Sequence, residues 1–348
     1  MSNGNIGDKY GAHRVIRPKG VLPQAADVID NSMEIYDNEI LVDVGTLNID
    51  SASFTQIEDE AKGDKDAIAK IILDTVERRG KQHNPHTGSG GMFIGKVAEI
   101  GEALRDKGDA SPGDEIASLV SLSLTPLLID KIVEVKSEKD QIDIVGKAIL
   151  FERTVFCKLP DDMERTVALS VLDVAGAPAQ TARLVKSGDT VFIIGAGGRS
   201  GMLCAYEAKN RAGKEGKIIG TGHSEASTKR ISELGLCDHV IQVNARDPIE
   251  IEEKVSRITG GRMADITINC VNIPDTEMGS ILATKTDGII YFFSMATSFT
   301  KAALGAEGIG SDATMIIGNG YTSGHAETAL NILRGHPPLM EIFKKLYG

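Results

Sequence analysis

Residues 191–201 read VFIIGAGGRSG, an apolar run that ends in Gly195, Gly197, Gly198 and Gly201. Glycines let a backbone turn tightly and come close to a diphosphate. A helix that follows offers its free N–H groups and dipole to the negative charge. Context turns this pattern into an expectation of a dinucleotide site, with a strand before it and a helix after it in a unit of about 30 residues. Arg199 and Ser200 fall in the same turn. About 20 residues on, where NAD-binding folds of this kind place a ribose-binding acid, the chain has Thr221, Gly222, His223 and Ser224. Lys229 and Arg230 follow shortly, and Glu225 comes slightly late. A missing acid beside hydrogen-bond donors leaves room for a 2′-phosphate, so the expected cofactor is NADP or NAD, with both used. Val271, Asn272, Phe293 and Ser294 close two predicted strands and are expected to border the nicotinamide, because ligands collect at strand carboxyl ends.

The elements that position these residues follow from periodicity. Strand-like runs at Val191–Ile194, Lys217–Thr221, His239–Val243, Ala264–Val271, Gly288–Ser294 and Thr314–Ile317 alternate with helical spacing at 202–211, 226–234 and 249–258. Apolar, β-branched strands separated by amphipathic helices predict a parallel sheet covered on both faces, an α/β doubly wound half. The first half predicts a smaller, mostly antiparallel β domain. Its strands are expected at Glu39–Leu47, Gly91–Ile100 and Asp114–Ser121, with one helix at 65–79.

Composition bounds the function. The 348 residues suit two domains. The net charge of −11 argues against a general nucleic-acid or anionic-membrane binder. The amino-terminal segment MSNGNIGDKYGAHRV is not an apolar signal, and no run of 18 apolar residues occurs. Cys157, Cys204, Cys237 and Cys270 are far apart, without the C-x-x-C spacing of a zinc or redox site, so a reducing cytoplasm is expected.

Lys158–Pro160, Leu172–Pro178, Val185–Val191, the glycine turn, Leu236–Val240 and Thr259–Val271 resemble the medium-chain dehydrogenase/reductase superfamily. EILVDVGTLNIDSASF, GSGGMFIGKVAEIG and SPGDEIASLV resemble its GroES-like catalytic domain. The resemblance implies a GroES-like domain at 1–165 and 320–348, and a Rossmann domain at 166–319. It also bears on metal. Zinc members use an early Cys and a Gly-His-Glu segment, whereas here the first cysteine is Cys157 and the segment reads Gly88-Ser89-Gly90-Gly91. His83 and His86 lie nearby and are expected to be surface residues. No catalytic zinc is expected.

A closer resemblance runs through Lys9–Gln24, Leu47–Glu58, Leu119–Leu127, SGMLCAYEA and FFSMATSFTKAALGAEG, which look like a family of diamino-acid dehydrogenases of lysine fermentation. It implies oxidative deamination of a small diamino acid, NAD as the usual acceptor, and a homodimer. Such a substrate asks for acidic partners for its ammonium groups and a basic partner for its carboxylate. Asp50, after a predicted strand, and Asp173, in the LDVAGAP stretch, are the expected acids, though either could instead cap or brace the backbone. Arg14 or Lys19 is the expected carboxylate partner, with Ser51, Ser121 and Ser123 as hydroxyl donors. His325 could serve as a base, but a helix start at the surface is the preferred reading. The alternatives are a zinc-free quinone or enoyl reductase and a non-catalytic dinucleotide sensor.

Overall fold

A computed structural model describes residues 5–318 and 320–348. The first four residues of the amino-terminal segment, and the expected domain limits at 1 and 319, lie outside them. The chain divides into two compact units, Met1–Asp162 and Met163–Gly348.

In the first unit, β1 (Val15–Arg17) pairs with β2 (Val28–Ile29). Next come β3 (Glu39–Asn48), α1 (Ser51–Glu60), α2 (Lys65–Arg79), β4 (Met92–Ile100), α3 (Glu102–Arg105), β5 (Glu115–Ser118), β6 (Leu127–Lys136), β7 (Gln141–Phe151) and β8 (Phe156–Lys158). The sheet order is β6-β7-β3-β4-β5-β8, and every neighbouring pair is antiparallel. Helix α2 begins where the Asp64 side chain accepts from the Ala67 N–H and ends at Gly80, whose φ of 73° suits glycine. Its buried stripe Ile68, Ile72 and Val76 belongs to the same core as Val42, Val44 and Leu47 of β3. The long strands β6 and β7 and the helix α1 were not expected from the sequence. The expected strands at Glu39–Leu47 and Gly91–Ile100 and the helix at 65–79 correspond to β3, β4 and α2.

The second unit opens with α4 (Arg165–Leu172) and α5 (Gly176–Leu184). It continues through β9 (Thr190–Ile194), α6 (Arg199–Ala212), β10 (Lys217–Gly222), α7 (Glu225–Leu234), β11 (His239–Gln242) and α8 (Pro248–Thr259). Then follow β12 (Ala264–Asn269), α9 (Glu277–Leu282), β13 (Thr284–Phe292), α10 (Phe299–Ile309), β14 (Thr314–Ile317), α11 (His325–Gly335) and α12 (Pro337–Tyr347). The sheet order β11-β10-β9-β12-β13-β14 is parallel throughout. Along β9 the side chains alternate between two cores: Val191 and Ile193 enter one, Phe192 and Ile194 the other. This burial on both faces is why the strand reads as an unbroken apolar run.

One boundary is corrected. Residues 320–348 do not return to the first unit, because Ile332, Leu333, Leu339 and Phe343 of α11 and α12 are buried with Val167 of α4, Val191 of β9 and Met202 of α6. Their amphipathic faces find an apolar surface there. Among the described residues no helix is long and apolar enough to cross a membrane.

Candidate functional site

In the second unit β9 runs into Gly195, whose φ of 84° only glycine adopts freely. The Gly195 N–H donates to Thr221 Oγ1 at 3.0 Å and the Ala196 N–H to the Thr221 carbonyl at 3.0 Å, so the turn is tied to β10. Gly201 is where the new helix crosses back: a Cβ there would lie 2.1 Å from the Gly195 carbonyl oxygen. The exposed Gly198 caps α6, and Arg199 and the buried Ser200 are its first two residues. This glycine-rich turn starts α6 without a side-chain cap on its first N–H groups, which fits a dinucleotide diphosphate. Arg230 Nη1 donates to the Gly197 carbonyl at 2.7 Å, bracing the turn from α7.

The end of β10 differs from expectation. Gly222 is buried, and a Cβ there would lie 2.5 Å from Ser227 Oγ and 2.9 Å from the Thr228 backbone nitrogen. Glycine is needed for the close approach of α7, so it does not open space for a phosphate. Ser224 is committed to capping: its hydroxyl accepts from the Ser227 N–H, while Ser227 Oγ accepts from the Ser224 N–H. The expected donor role is left to the exposed His223.

At the carboxyl end of β12, buried Asn269 organises the next turn. Its Nδ2 donates to Thr276 Oγ1 at 2.8 Å and Ser280 Oγ at 3.0 Å, and its Oδ1 accepts from the Val271 N–H. Val271 packs toward Gly195, where a Cβ would meet it at 2.5 Å, and Asn272 is exposed. The Phe293 N–H donates to the Asn269 carbonyl, and Ser294 Oγ accepts from the Ala296 N–H. Two of the expected nicotinamide-side residues, Val271 and Phe293, thus bond to one hub, Asn269, which sequence reasoning missed. Cys204 of α6 and Cys270 also meet here, with 3.9 Å between their sulfurs, and burial pushes the Cys204 thiol up.

Asp173, just past α4, accepts from Arg199 Nη1 at 3.1 Å. A substrate ammonium would have to compete with this guanidinium, so the expected role of Asp173 gives way to pairing inside its own unit. His325 does start α11, but it is only 3% exposed and its pKa is lowered by burial.

In the first unit Asp50 caps α1, with its Oδ1 accepting from the Ser53 N–H at 3.0 Å. Its Oδ2 is buried without a hydrogen-bond partner. Two glycines bring the neighbouring segments onto this corner. A Cβ at Gly91 would lie 2.0 Å from the Asn48 carbonyl oxygen, and one at Gly90 2.2 Å from that of Gln82. The Leu122 N–H donates to the Gly91 carbonyl, which brings the Ser121–Ser123 turn alongside. There the hydroxyl of buried Ser123 donates to Ser121 Oγ at 2.8 Å. Buried Gln82 adds a second acceptor, Oε1, without a partner. No motif or periodicity marks Gln82 in the sequence. Ser51 faces elsewhere, its exposed hydroxyl donating to Asp140 Oδ2 at 2.6 Å.

Arg14 is corrected outright. It is 1% exposed, and its five N–H groups are taken by Glu39, Asp30 and the carbonyls of Ser32 and Glu34, so none remains for a substrate carboxylate. Lys19 donates to the Val15 carbonyl. His86 is exposed as expected, but His83 is partly buried. Burial, with Lys81 and Arg79 beside it, lowers the His83 pKa to about 4. Lys81 is itself fully buried, donating to the carbonyls of Pro23 and Gln24, and burial lowers its pKa to about 8.

A family model described as the L-erythro-3,5-diaminohexanoate dehydrogenase N-terminal domain matches residues 13–160. Over 98% of its length the chain is 57% identical to the L-erythro-3,5-diaminohexanoate dehydrogenase of Acetoanaerobium sticklandii. It is 53% identical to that of Fusobacterium nucleatum over the same share, and 99% of each relative is covered. A quinone oxidoreductase structure from Pseudomonas syringae is similar over 94% of this chain and 87% of its own, with a TM-score of 0.54 and 17% identity. That likeness carries the fold alone, a Rossmann unit with a GroES-like partner.

Proposed function

The chain belongs to the L-erythro-3,5-diaminohexanoate dehydrogenase family, and from that premise we propose that it oxidatively deaminates L-erythro-3,5-diaminohexanoate. The products are 5-amino-3-oxohexanoate and ammonia, in lysine fermentation. The carrying observation is the glycine-tight turn from Gly195 to Gly201 in a parallel sheet of the dinucleotide-binding order.

A nicotinamide held there supplies the hydride acceptor. Gly195, Gly197, Gly198, Ser200 and Gly201 would hold its diphosphate, while Val271, Asn272, Phe293 and Ser294 would border the ring. The β10 end has no carboxylate before Glu225, so both NAD and NADP are used, with His223 as the donor toward a 2′-phosphate.

A substrate amine releases hydride from its carbon only when its nitrogen is neutral, so its proton must go to a nearby base first. Water then replaces the nitrogen and ammonia leaves. Asp50 is the group proposed to hold a substrate ammonium. Its Oδ2 is a buried acceptor without a donor, and an ammonium would satisfy it. Ser121 and Ser123 contribute hydroxyls. A quinone or enoyl reductase would need no such carboxylate.

A homodimer is part of this reading. Among the described residues no strand pairs with the outer edge of β14, and Ile317 on it is 62% exposed, with Phe299 and Leu304 of the preceding helix also exposed. A second copy would cover them. A cytoplasmic setting suits the four cysteines, which form no disulfide.

Purified protein mixed with 3,5-diaminohexanoate and NAD⁺, then NADP⁺, should raise the absorbance of the reduced nicotinamide. No absorbance with either cofactor removes the proposal. Asp50→Asn should lower kcat/KM for the diamine at least tenfold, as loss of a charge-assisted bond of about 1.5–3 kcal/mol requires. Cofactor affinity should hold.

A further inference from the structure

We propose that Tyr347, on the last helix, is a positioning residue for cofactor binding. With Asp173 it holds the Arg199 guanidinium beside the glycine turn, where Arg199 meets the cofactor diphosphate. This rests on reading Gly195–Gly201 as the cofactor turn.

Arg199 is the first residue of α6, directly after the exposed cap Gly198. A guanidinium at that place has the planar fork that matches phosphate oxygens, but a long side chain loses affinity if it must be ordered on binding. Here two neighbours order it beforehand. Nη1 donates to Asp173 Oδ2 at 3.1 Å, and the guanidinium carbon lies 5.2 Å from the centre of the Tyr347 ring. The first contact fixes the direction of the fork and the second supports its face. Arg199 and Arg230 both act on the Tyr347 phenol, against the burial that raises its pKa. Arg230 in turn holds the Gly197 carbonyl. The end of α12 therefore reaches the same few residues that α4, α6 and α7 bring to the turn.

Tyr347 is partly buried at the edge of the core that seats α12. Leu339 and Phe343, both fully buried, anchor the helix one and two turns earlier. Phe343 meets the Tyr347 ring edge-on at 5.2 Å.

The experiment measures dissociation constants for NADH and NADPH by the fluorescence of the bound reduced nicotinamide, with little interference from a chain that has no Trp. Tyr347→Leu should weaken binding about three- to fivefold, while Tyr347→Phe, which keeps the ring, should stay within about twofold. Arg199→Gln should weaken it about tenfold. In the Arg199→Gln background Tyr347→Leu should add nothing, because the side chain it positions is gone. The cofactor KM should follow these changes, with kcat and the diamine KM unaltered by Tyr347→Leu. Unchanged binding in Tyr347→Leu would overturn the proposal. So would an additive loss in the double variant, the mark of a purely structural tyrosine, and that comparison decides even if Tyr347→Leu lowers the Tm. A wild-type protein that binds neither NADH nor NADPH would instead sink the cofactor reading itself.

Discussion

In the first unit Arg14 and Glu39, 25 residues apart, are each 1% exposed and joined through both carboxylate oxygens, whereas the polar hub of the second unit joins the uncharged Asn269, Thr276 and Ser280 within 11 residues. Fully buried Lys81 extends the contrast, reaching carbonyls 57 and 58 residues away. The antiparallel unit thus closes its irregular amino-terminal loops by burying charge. The parallel unit shapes its turns with glycines, and its Asn269 hub is satisfied by hydroxyls close in sequence. A buried charge is costly unless its partner stays in place, while a glycine turn is sensitive to a single carbon atom.

The largest effect should come from breaking the buried pair. Glu39→Gln strands the Arg14 charge and should cost about 3–5 kcal/mol of unfolding free energy. In the second unit Glu233→Gln, which removes the exposed partner of Lys229, should cost under about 1 kcal/mol. Equal shifts in the urea midpoints of the two variants would erase the contrast.

Next in size is the glycine turn. Gly201→Ala puts a carbon 2.1 Å from the Gly195 carbonyl oxygen. It should cost about 2–3 kcal/mol and weaken cofactor binding. Gly45→Ala on β3 meets nothing within 4 Å, and should leave the Tm nearly unchanged. A tolerant Gly201 would mean that α6 can shift, contrary to a turn set by glycine packing.

The smallest effect is a pH dependence in the first unit. With the folded His83 pKa lowered from 6.5 to about 4, the unfolded chain takes up this proton first as pH falls. Stability is therefore fully present above pH 6.5 and is lost as pH falls through 4. Screening at this partly exposed group reduces the change to about 1–2 kcal/mol. Across that window the unfolding free energy of the wild type should fall relative to that of His83→Gln by this amount, and a pH-independent difference would count against it.

How much could be read in advance follows the same division. Gly195, Gly197, Gly198 and Gly201 announce a turn whose cause lies within seven residues, and the alternating strands and helices around it carry their own periodicity. Asp50 was legible as a cap or a ligand, and the structure gives one oxygen to the cap and leaves the other without a partner. Arg14 misled because nothing local shows that Glu39 will surround it. β6 and β7 were missed because charged residues break their apolar alternation. The register of β7 against β3, and of β6 against β7, restores it only in three dimensions. Asp173 and Arg199 meet across 26 residues, and Tyr347 joins them from the far end of the unit. Neither distance has a sequence signature.

The crowding at Gly222 limits how cofactor preference in this protein can be redesigned. An acid grafted onto the end of β10 is the obvious way to discriminate against a phosphorylated ribose, yet its first carbon would press against the Thr228 backbone nitrogen and displace α7. Selectivity is therefore better engineered one step later, at His223, whose side chain is exposed and whose carbonyl accepts from Gln242. Any variant library that samples position 222 is limited by helix displacement, while one that samples 223 can change the charge at the end of β10, beside the proposed cofactor turn, and leave the backbone in place.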